Sequence, residues 1–313
     1  MRAFGLTDEN ATAGVLDVPV PTPSPGEVRV KVHASSVNGY DTFVASGMAR
    51  AILEHRYPVV AGKDFSGVVD AVGEGVEDLA VGQEVSGITP PSMAVDSVGA
   101  YAEFVVVPSS GFTLAKPANL DHEHAASLGL AAVTALVSVN AISPSAGQSV
   151  LVVGATGGVG TYAVQLAAAR GANVIATALA DDIDWIRGLG ANATVDYSGD
   201  VPGAVRSAHP EGIDALIVAV HVGEAYGQLA DLVRDGGAIA STVGGPDDVG
   251  RGVSVTNVFG QSDPAAFAEV VRLADEGSLT VPITKTHGFD ELPEALGLVG
   301  QRASRGKVAI RIA

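Results

Sequence analysis

The stretch Ser149–Ala178, "SVLVVGATGGVGTYAVQLAAARGANVIATA", constrains this chain more than any other. A valine-rich run leads into a glycine-rich turn, a helical segment follows, and a second apolar run closes it. A strand, a crossover helix and a second strand make a parallel pair, and parallel sheets are covered on both faces. Within Gly154-Ala155-Thr156-Gly157-Gly158-Val159-Gly160, Gly157 lets the backbone approach a diphosphate and Gly160 lets helix and strand pack closely. Ala155 stands where the first glycine of that pattern usually sits. The helix start adds N–H groups and its dipole, so Ala155, Thr156, Gly157, Gly158, Val159 and Gly160 read as a dinucleotide cradle. A turn needed only for chain reversal is the plain alternative; the strand before, the helix after and the second strand beyond favour the cradle.

An acid closing the second strand would bind a ribose 2′-OH and repel a 2′-phosphate. Thr177 and Ala178 hold that end, which favours NADPH and leaves NADH open. The following "LADDID" supplies no lysine. Arg187 and Tyr197 are the nearest groups to close the pocket, while Asp181, Asp182 and Asp184 read as helix N-terminal caps.

Further on, "ATVDY", "DALIVAV" and "GAIAST" alternate with helices around Ile183–Leu189 and Ala225–Val233, the pattern of a doubly wound parallel sheet. Ahead of this region "EVRVKVHASSVN", "FSGVVDAVGEGV" and "YAEFVVVPSS" alternate as half-buried strands, divided by Gly and Pro. The expected division is an irregular β domain over 1–116, a dinucleotide domain over 117–261, and a tail over 262–313 that rejoins the first. The fold class is therefore α/β.

The 313 residues are 47% hydrophobic with a net charge of −17, which argues against a nucleic-acid partner. No cysteine is present, so disulfides and thiolate metal sites are excluded, and a cytoplasmic address is the simple expectation. No export signal is read at the start. "HAASLGLAAVTALVSVNAI" is long enough to raise a membrane question, but its Ala, Ser, Thr and Gly content fits a buried helix better. His122 and His124 diverge on a helix and suit a polar helix start, not a metal pair.

Several ordered motifs carry a resemblance: "PSPGEVRVKVHASSVNGYDTFVASG", "YPVVAGKDFSGVVDAVGEGVEDLAVGQEV", "GAYAEFVVVPSS", "LGLAAVTAL", "GQSVLVVGATGGVGTYAVQLAAARGANVIAT", "LGANATVDY" and "GKVAIRI". Across essentially its whole length the chain resembles the zinc-independent medium-chain dehydrogenase/reductases of the NADPH:quinone oxidoreductase (zeta-crystallin-like) group. The resemblance implies a GroES-like domain, a Rossmann domain, a homodimer, and hydride transfer from NADPH to a quinone or an α,β-unsaturated carbonyl (an enone). Asn38 and Lys63 match the positions of a Cys and a His that hold metal in zinc-bearing relatives, and neither is a plausible zinc ligand.

Without a metal, hydrogen-bond donors must stabilise the charge that hydride delivery places on the carbonyl oxygen. Asn38, Tyr40 and Lys63 are the candidate donors. Their plainer readings are a backbone-bonded bend for Asn38, a core or rim position for Tyr40 on a strand or turn, and an ion pair with Asp64 for Lys63. Asp41 reads as a capping residue. Phe43 stands where the family often carries tyrosine.

Matched positions imply further cofactor contacts. Thr134 approaches the nicotinamide end, and Val220 lies at a turn whose next residue, His221, replaces a family glycine. Ser241, Thr242 and Val243 line the cofactor channel or cap the strand end. Val258, Phe259 and Gly260 cover the nicotinamide, and Lys307 reaches cofactor or domain interface. Loops Met48–Pro58 and "SGITPPSMAVDSVGAY" are expected to wall the substrate pocket. The rival to a reductase is a cofactor-binding protein of the same fold with little chemistry, kept alive by Phe43 and His221.

Overall fold

A computed structural model describes residues 1–90, 94–220, 222–259 and 263–313. Contacts divide the chain into two compact units, 1–133 with 262–313, and 134–261. The first boundary falls inside a helix, later than the change of texture at Pro117.

In the first unit, the strands Thr113–Ala115, Glu84–Ile88, Asp64–Val72, Glu27–Val37, Lys307–Arg311 and Ile283–Gly288 lie side by side, with Phe104–Pro108 also paired to Glu27–Val37. Val28, Val30 and Val32 alternate inward and pack on Phe65, Val69, Val85 and Val105. This burial of one face fixes the register, because a one-residue slip would turn all the valines out. The C-terminal strand pairs antiparallel with Glu27–Val37, Val308 opposite Val37 and Arg311 opposite Ala34. Lys307 therefore arrives beside the end of that central strand.

The central strand runs directly into α1 (Gly39–Ala45). Asn38 is extended at the N-cap, and Asp41 three residues on accepts its N–H at 2.8 Å. Tyr40 thus stands on a helix, where a strand or turn was expected; a seven-residue helix is too short to show a period.

The long apolar run breaks into α2 (His122–Ser127) and α3 (Gly129–Ile142). Asp121 caps α2, accepting from His124 N–H at 2.8 Å and Nδ1 at 2.7 Å, which accounts for the histidine pair. The break has a long-range cause. The Leu130 N–H donates to Asp64 Oδ1 at 2.7 Å, and a Cβ on Gly129 would lie 2.1 Å from that oxygen. Among the described residues no helix is long and apolar enough to cross a membrane.

The second unit holds six parallel strands in the order Ala193–Val195, Asn173–Thr177, Ser149–Val153, Ile213–Val218, Val233–Ser241, Ser254–Asn257. This is the doubly wound order, with its switch point between Ser149–Val153 and Ile213–Val218. Beyond Ser149 and Asp214, which bond one another near the strand starts, both strands are apolar on both faces, as a covered parallel sheet requires. Helix α4 (Gly158–Ala169) follows the glycine turn and α5 (Ile183–Gly188) follows the second strand. The helix expected over Ala225–Val233 ends at Ala230, because Val233 already begins a strand that pairs with Ile213. Asp182 stands at the N-cap of α5 but its side chain makes no capping bond, contrary to the expectation for the acids of "LADDID".

Candidate functional site

Two features stand out, one in each unit. In the first unit a cavity of about 410 Å³ is lined by Tyr40, Val44, Val60, Lys63, Thr89 and Pro90, among others. Gly62 turns the chain into it with φ +98°, and a Cβ there would press on the Tyr101 backbone at 2.6 Å. Lys63 and Asp64 then point to opposite sides. The Lys63 ammonium donates to the Pro90 carbonyl at 2.9 Å and lies 5.5 Å from the centre of the Tyr40 ring. Burial pulls Lys63 down to about 8, against the pull of Asp41 and Asp64. Burial also raises Tyr40. The Lys63–Asp64 ion pair considered from the sequence does not form; Asp64 faces Lys307 instead.

Of the expected walls, the loop after Glu84–Ile88 supplies Thr89, Pro90, Ala94 and Val95. Met48–Pro58 supplies no lining residue, but His55 pairs in register with Val95.

Behind the cavity wall lies a nest of buried charge. Asp41, Asp64 and Lys307 are all within 1% of complete burial. Lys307 Nζ donates to Asn38 Oδ1 at 2.7 Å and to the Val37 carbonyl at 3.2 Å, and lies 3.7 Å from Asp64 Oδ2. Asn38 Nδ2 donates to Asp64 Oδ2 at 2.8 Å and Asp41 Oδ2 at 3.1 Å. An ammonium only donates and ionised carboxylates only accept, so this amide orientation is the one that satisfies every partner. Ser36 also donates to Asp64 Oδ2, at 2.7 Å. The Tyr101 hydroxyl donates to the Ser36 carbonyl at 3.3 Å, and burial beside the two carboxylates pushes its phenol well up. Burial, then Asp64, lifts Asp41 to about 7; burial lowers Lys307.

This nest changes the roles expected for two residues. Both amide hydrogens of Asn38 are committed to carboxylates, leaving neither for a substrate carbonyl, and it bonds side chains where a backbone-bonded bend was the plain expectation. Lys307 is walled into the first unit's core and offers nothing to a cofactor groove. Asp41, read as a cap, is one, and also belongs to the nest. Ser36 and Tyr101 carry no local signal of these contacts, and Asp64, read only as a partner of Lys63, meets Lys307 and Asn38 instead, because their partners lie far along the chain.

In the second unit the glycine turn has the geometry of a cradle. Gly154, one residue ahead of Ala155, takes the left-handed φ of +82°, so an alanine at 155 needs no unusual backbone. A Cβ on Gly160 would lie 2.1 Å from the Gly154 carbonyl oxygen, while one on Gly157 would reach it at 3.4 Å. Helix–strand closeness thus forbids a side chain at 160, and the turn's outer residues Thr156–Val159 stay half-buried. The first N–H groups of α4 have no carbonyl of their own helix to bond and suit an anion.

The Thr177 hydroxyl sits under this turn, accepting the Gly154 N–H at 2.9 Å, rather than facing outward. Ala178 is buried and Tyr197 half-exposed. Val220 touches the turn, since a Cβ on Gly154 would meet its Cγ1 at 2.9 Å. Ser241 donates to the Gly244 carbonyl at 2.8 Å and Thr242 to the Val218 carbonyl at 3.4 Å, the strand-end capping alternative. Val243 is half-buried, Thr134 and Val258 are buried, and Phe259 is 64% exposed. Gly260 and His221 lie outside the described residues. Val153, Thr177, Val218 and Ser241 all close parallel strands at one carboxyl edge, where open α/β sheets bind ligands.

Among the described residues, His287, Glu291 and Glu294 bring ligand-capable atoms within 4.8 Å of one another. Histidine spacing alone did not show this grouping. Glu291 Oε2 already accepts the Gly288 N–H at 2.7 Å, a capping role that explains its place.

Comparison with known proteins agrees with this architecture. Residues 24–118 match the model of the alcohol dehydrogenase GroES-like domain, and 158–275 that of the zinc-binding dehydrogenase. The chain is 30% identical to the NAD(P)H oxidoreductase RTN4IP1, mitochondrial, of Bos taurus, over 92% of this chain and 82% of that one. A solved NAD-dependent alcohol dehydrogenase superposes with a TM-score of 0.87 at 30% identity, covering 100% of both chains. The quinone oxidoreductase of Coxiella burnetii superposes with a TM-score of 0.85 at 27% identity, covering 100% of this chain and 99% of that one. The chain, with its GroES-like unit, its Rossmann sheet and these relatives, belongs to the quinone-oxidoreductase group of the medium-chain dehydrogenase/reductase family.

Proposed function

We propose that this oxidoreductase uses NADPH to reduce a quinone or an α,β-unsaturated carbonyl, with no catalytic metal. The observation that carries the reading is the half-buried Lys63 ammonium beside Tyr40 in the cavity wall. NADPH, when bound, supplies a hydride to the substrate carbon or quinone ring. Lys63 then does what a Lewis acid does in other dehydrogenases. Its ammonium has three N–H donors, one held by Pro90, so two remain for the carbonyl oxygen as negative charge develops there. With a pKa of about 8 it is protonated at neutral pH yet can give its proton to the enolate or phenolate oxygen; solvent returns it. The balance is substrate, one hydride from NADPH and one proton, giving reduced substrate and NADP⁺.

The donor set does not suit zinc. The chain has no thiolate to offer, the Asn38 amide is spent on carboxylates and Lys307, and Lys63 is a cation. Ala178, at the end of the second Rossmann strand, presents no acid to a 2′-phosphate, which supports NADPH over NADH. A homodimer and a cytoplasmic address belong to the same reading, with Ser254–Asn257 as the sheet edge available for pairing. Size-exclusion chromatography with light scattering and cell fractionation check these two.

Purified protein with NADPH and a panel of quinones and enones tests the core of the proposal. Lys63→Met should lower kcat/KM roughly 100-fold while leaving NADPH affinity unchanged. NADPH binding without turnover across the panel would leave a cofactor-binding protein as the better reading. Tighter binding of NADH than NADPH would overturn the cofactor assignment.

A further inference from the structure

His287, Glu291 and Glu294 have no part in the proposed reduction. His287 lies next to the end of the strand Ile283–Gly288, Glu291 ends the single turn Phe289–Glu291, and Glu294 stands in the first turn of the helix Leu292–Gly300. One ligand-capable atom of each lies within 4.8 Å of the other two. The cap on the Gly288 N–H accounts for Glu291 but not for its two neighbours. His287 is only 8% exposed. Its Nε2 has no hydrogen-bond partner, and its Nδ1 faces Glu291 Oε2 at 3.9 Å, beyond hydrogen-bond reach. A neutral imidazole carries one donor and one acceptor, and in this ring both are unmet. Leaving a buried polar ring bare is costly, so its aim at two carboxylates calls for a reason. Glu294 is exposed and has no hydrogen bond or ion pair among the described residues.

We propose that His287, Glu291 and Glu294 bind one divalent cation of the zinc type, which braces the first unit. An imidazole with two carboxylates suits zinc, whereas magnesium and calcium prefer oxygen ligands alone. Nδ1 is the ring atom turned toward the carboxylates, so a cation there takes its lone pair and leaves the ring proton on Nε2. The Gly288 bond uses one of about four lone-pair sites on Glu291 and holds that carboxylate beside the ring. Zinc bonds of about 2.0–2.2 Å set ligand atoms about 3.4 Å apart. The exposed Glu291 and Glu294 side chains close that gap by swinging inward, and water fills the remaining position. None of the three residues lines the cavity of Lys63, so the cation takes no part in hydride transfer. It ties a strand end to a helix start. His287 pairs opposite Ile310 of the C-terminal strand, and the helix Leu292–Gly300 buries Leu292, Ala295 and Leu296 in one core with Val44 of α1.

The test titrates the chelator-washed whole protein with Zn²⁺ in a calorimeter and follows its melting temperature. Wild type should bind one equivalent and melt higher with Zn²⁺ than without. His287→Ala and Glu294→Gln should each weaken binding at least roughly tenfold and remove the rise in melting temperature. Glu294→Gln alters an exposed, unpaired side chain, so it keeps the test open should the buried His287→Ala not fold. His124→Ala, on a different helix, should bind Zn²⁺ as wild type does. Mg²⁺ in place of Zn²⁺ should bind at least roughly tenfold more weakly, because it gains little from the imidazole. Zn²⁺ bound equally by wild type and Glu294→Gln, or lost in His124→Ala, marks an adventitious ion only and overturns the proposal. No heat of binding up to about 100 μM Zn²⁺, or Mg²⁺ held as tightly as Zn²⁺, overturns it as well.

Discussion

At the glycine turn the chain places its groups with backbone alone; at the start of α1 it places them with side chains drawn from distant segments. The turn closes within Gly154–Gly160, with the Thr177 hydroxyl accepting the Gly154 N–H from below. In the nest, Lys307 reaches Asn38 across 269 positions of sequence. The turn depends on what is missing, a Cβ at 160; the nest depends on hydrogen-bonding partners that must be brought together from distant segments. Local backbone geometry tolerates its surroundings, whereas a buried ionic group is stable only while every partner remains.

Substitutions can break this contrast. The largest effect should come from Lys307→Met, which strands two carboxylates in the core and should cost roughly 3 to 5 kcal/mol, read by urea unfolding at neutral pH. Next is the pH dependence of the nest. Asp41 rises in the folded state from 3.8 to about 7, so its contribution is full below about pH 4 and is lost as pH climbs through about 7. That loss amounts to at most about 4 kcal/mol. Unfolding curves over this window should be flatter for Asp41→Asn than for wild type, and equal slopes would contradict the raised carboxyl. Gly160→Ala should cost roughly 2 to 3 kcal/mol, since the new methyl must push α4 off the Gly154 carbonyl, and should abolish dinucleotide binding in a fluorescence titration. Thr177→Val should cost about 1 to 2 kcal/mol by leaving the Gly154 N–H without its acceptor. If Gly160→Ala melted like wild type, the division between a backbone-built and a charge-built site would fail.

The same contrast explains what could be read early. The alternation of Val28, Val30 and Val32, and the helix–strand closeness at Gly160, are local signals, and both stand in the structure as read. The helix break before Gly129 was not legible, because Asp64, far upstream, causes it. Position in a motif points Thr177 to the cofactor and leaves Ser241 between the cofactor channel and a strand-end cap; in the fold each hydroxyl bonds a nearer backbone partner. Lys63 and Asp64, adjacent in sequence and opposite in charge, suggested an ion pair; strand alternation after Gly62 sends them to opposite sides.

By itself, the sequence determined the parallel sheet, the glycine turn at the head of α4, and the lack of a thiolate for zinc, since periodicity, missing side chains and composition need no partner to act. Only the tertiary structure decided that Asn38 is spent, that Lys307 is entombed and that Asp41 joins Asp64 in one buried nest. Those facts are sums of long-range Coulomb and hydrogen-bond partners, which exist only once distant strands have been brought together.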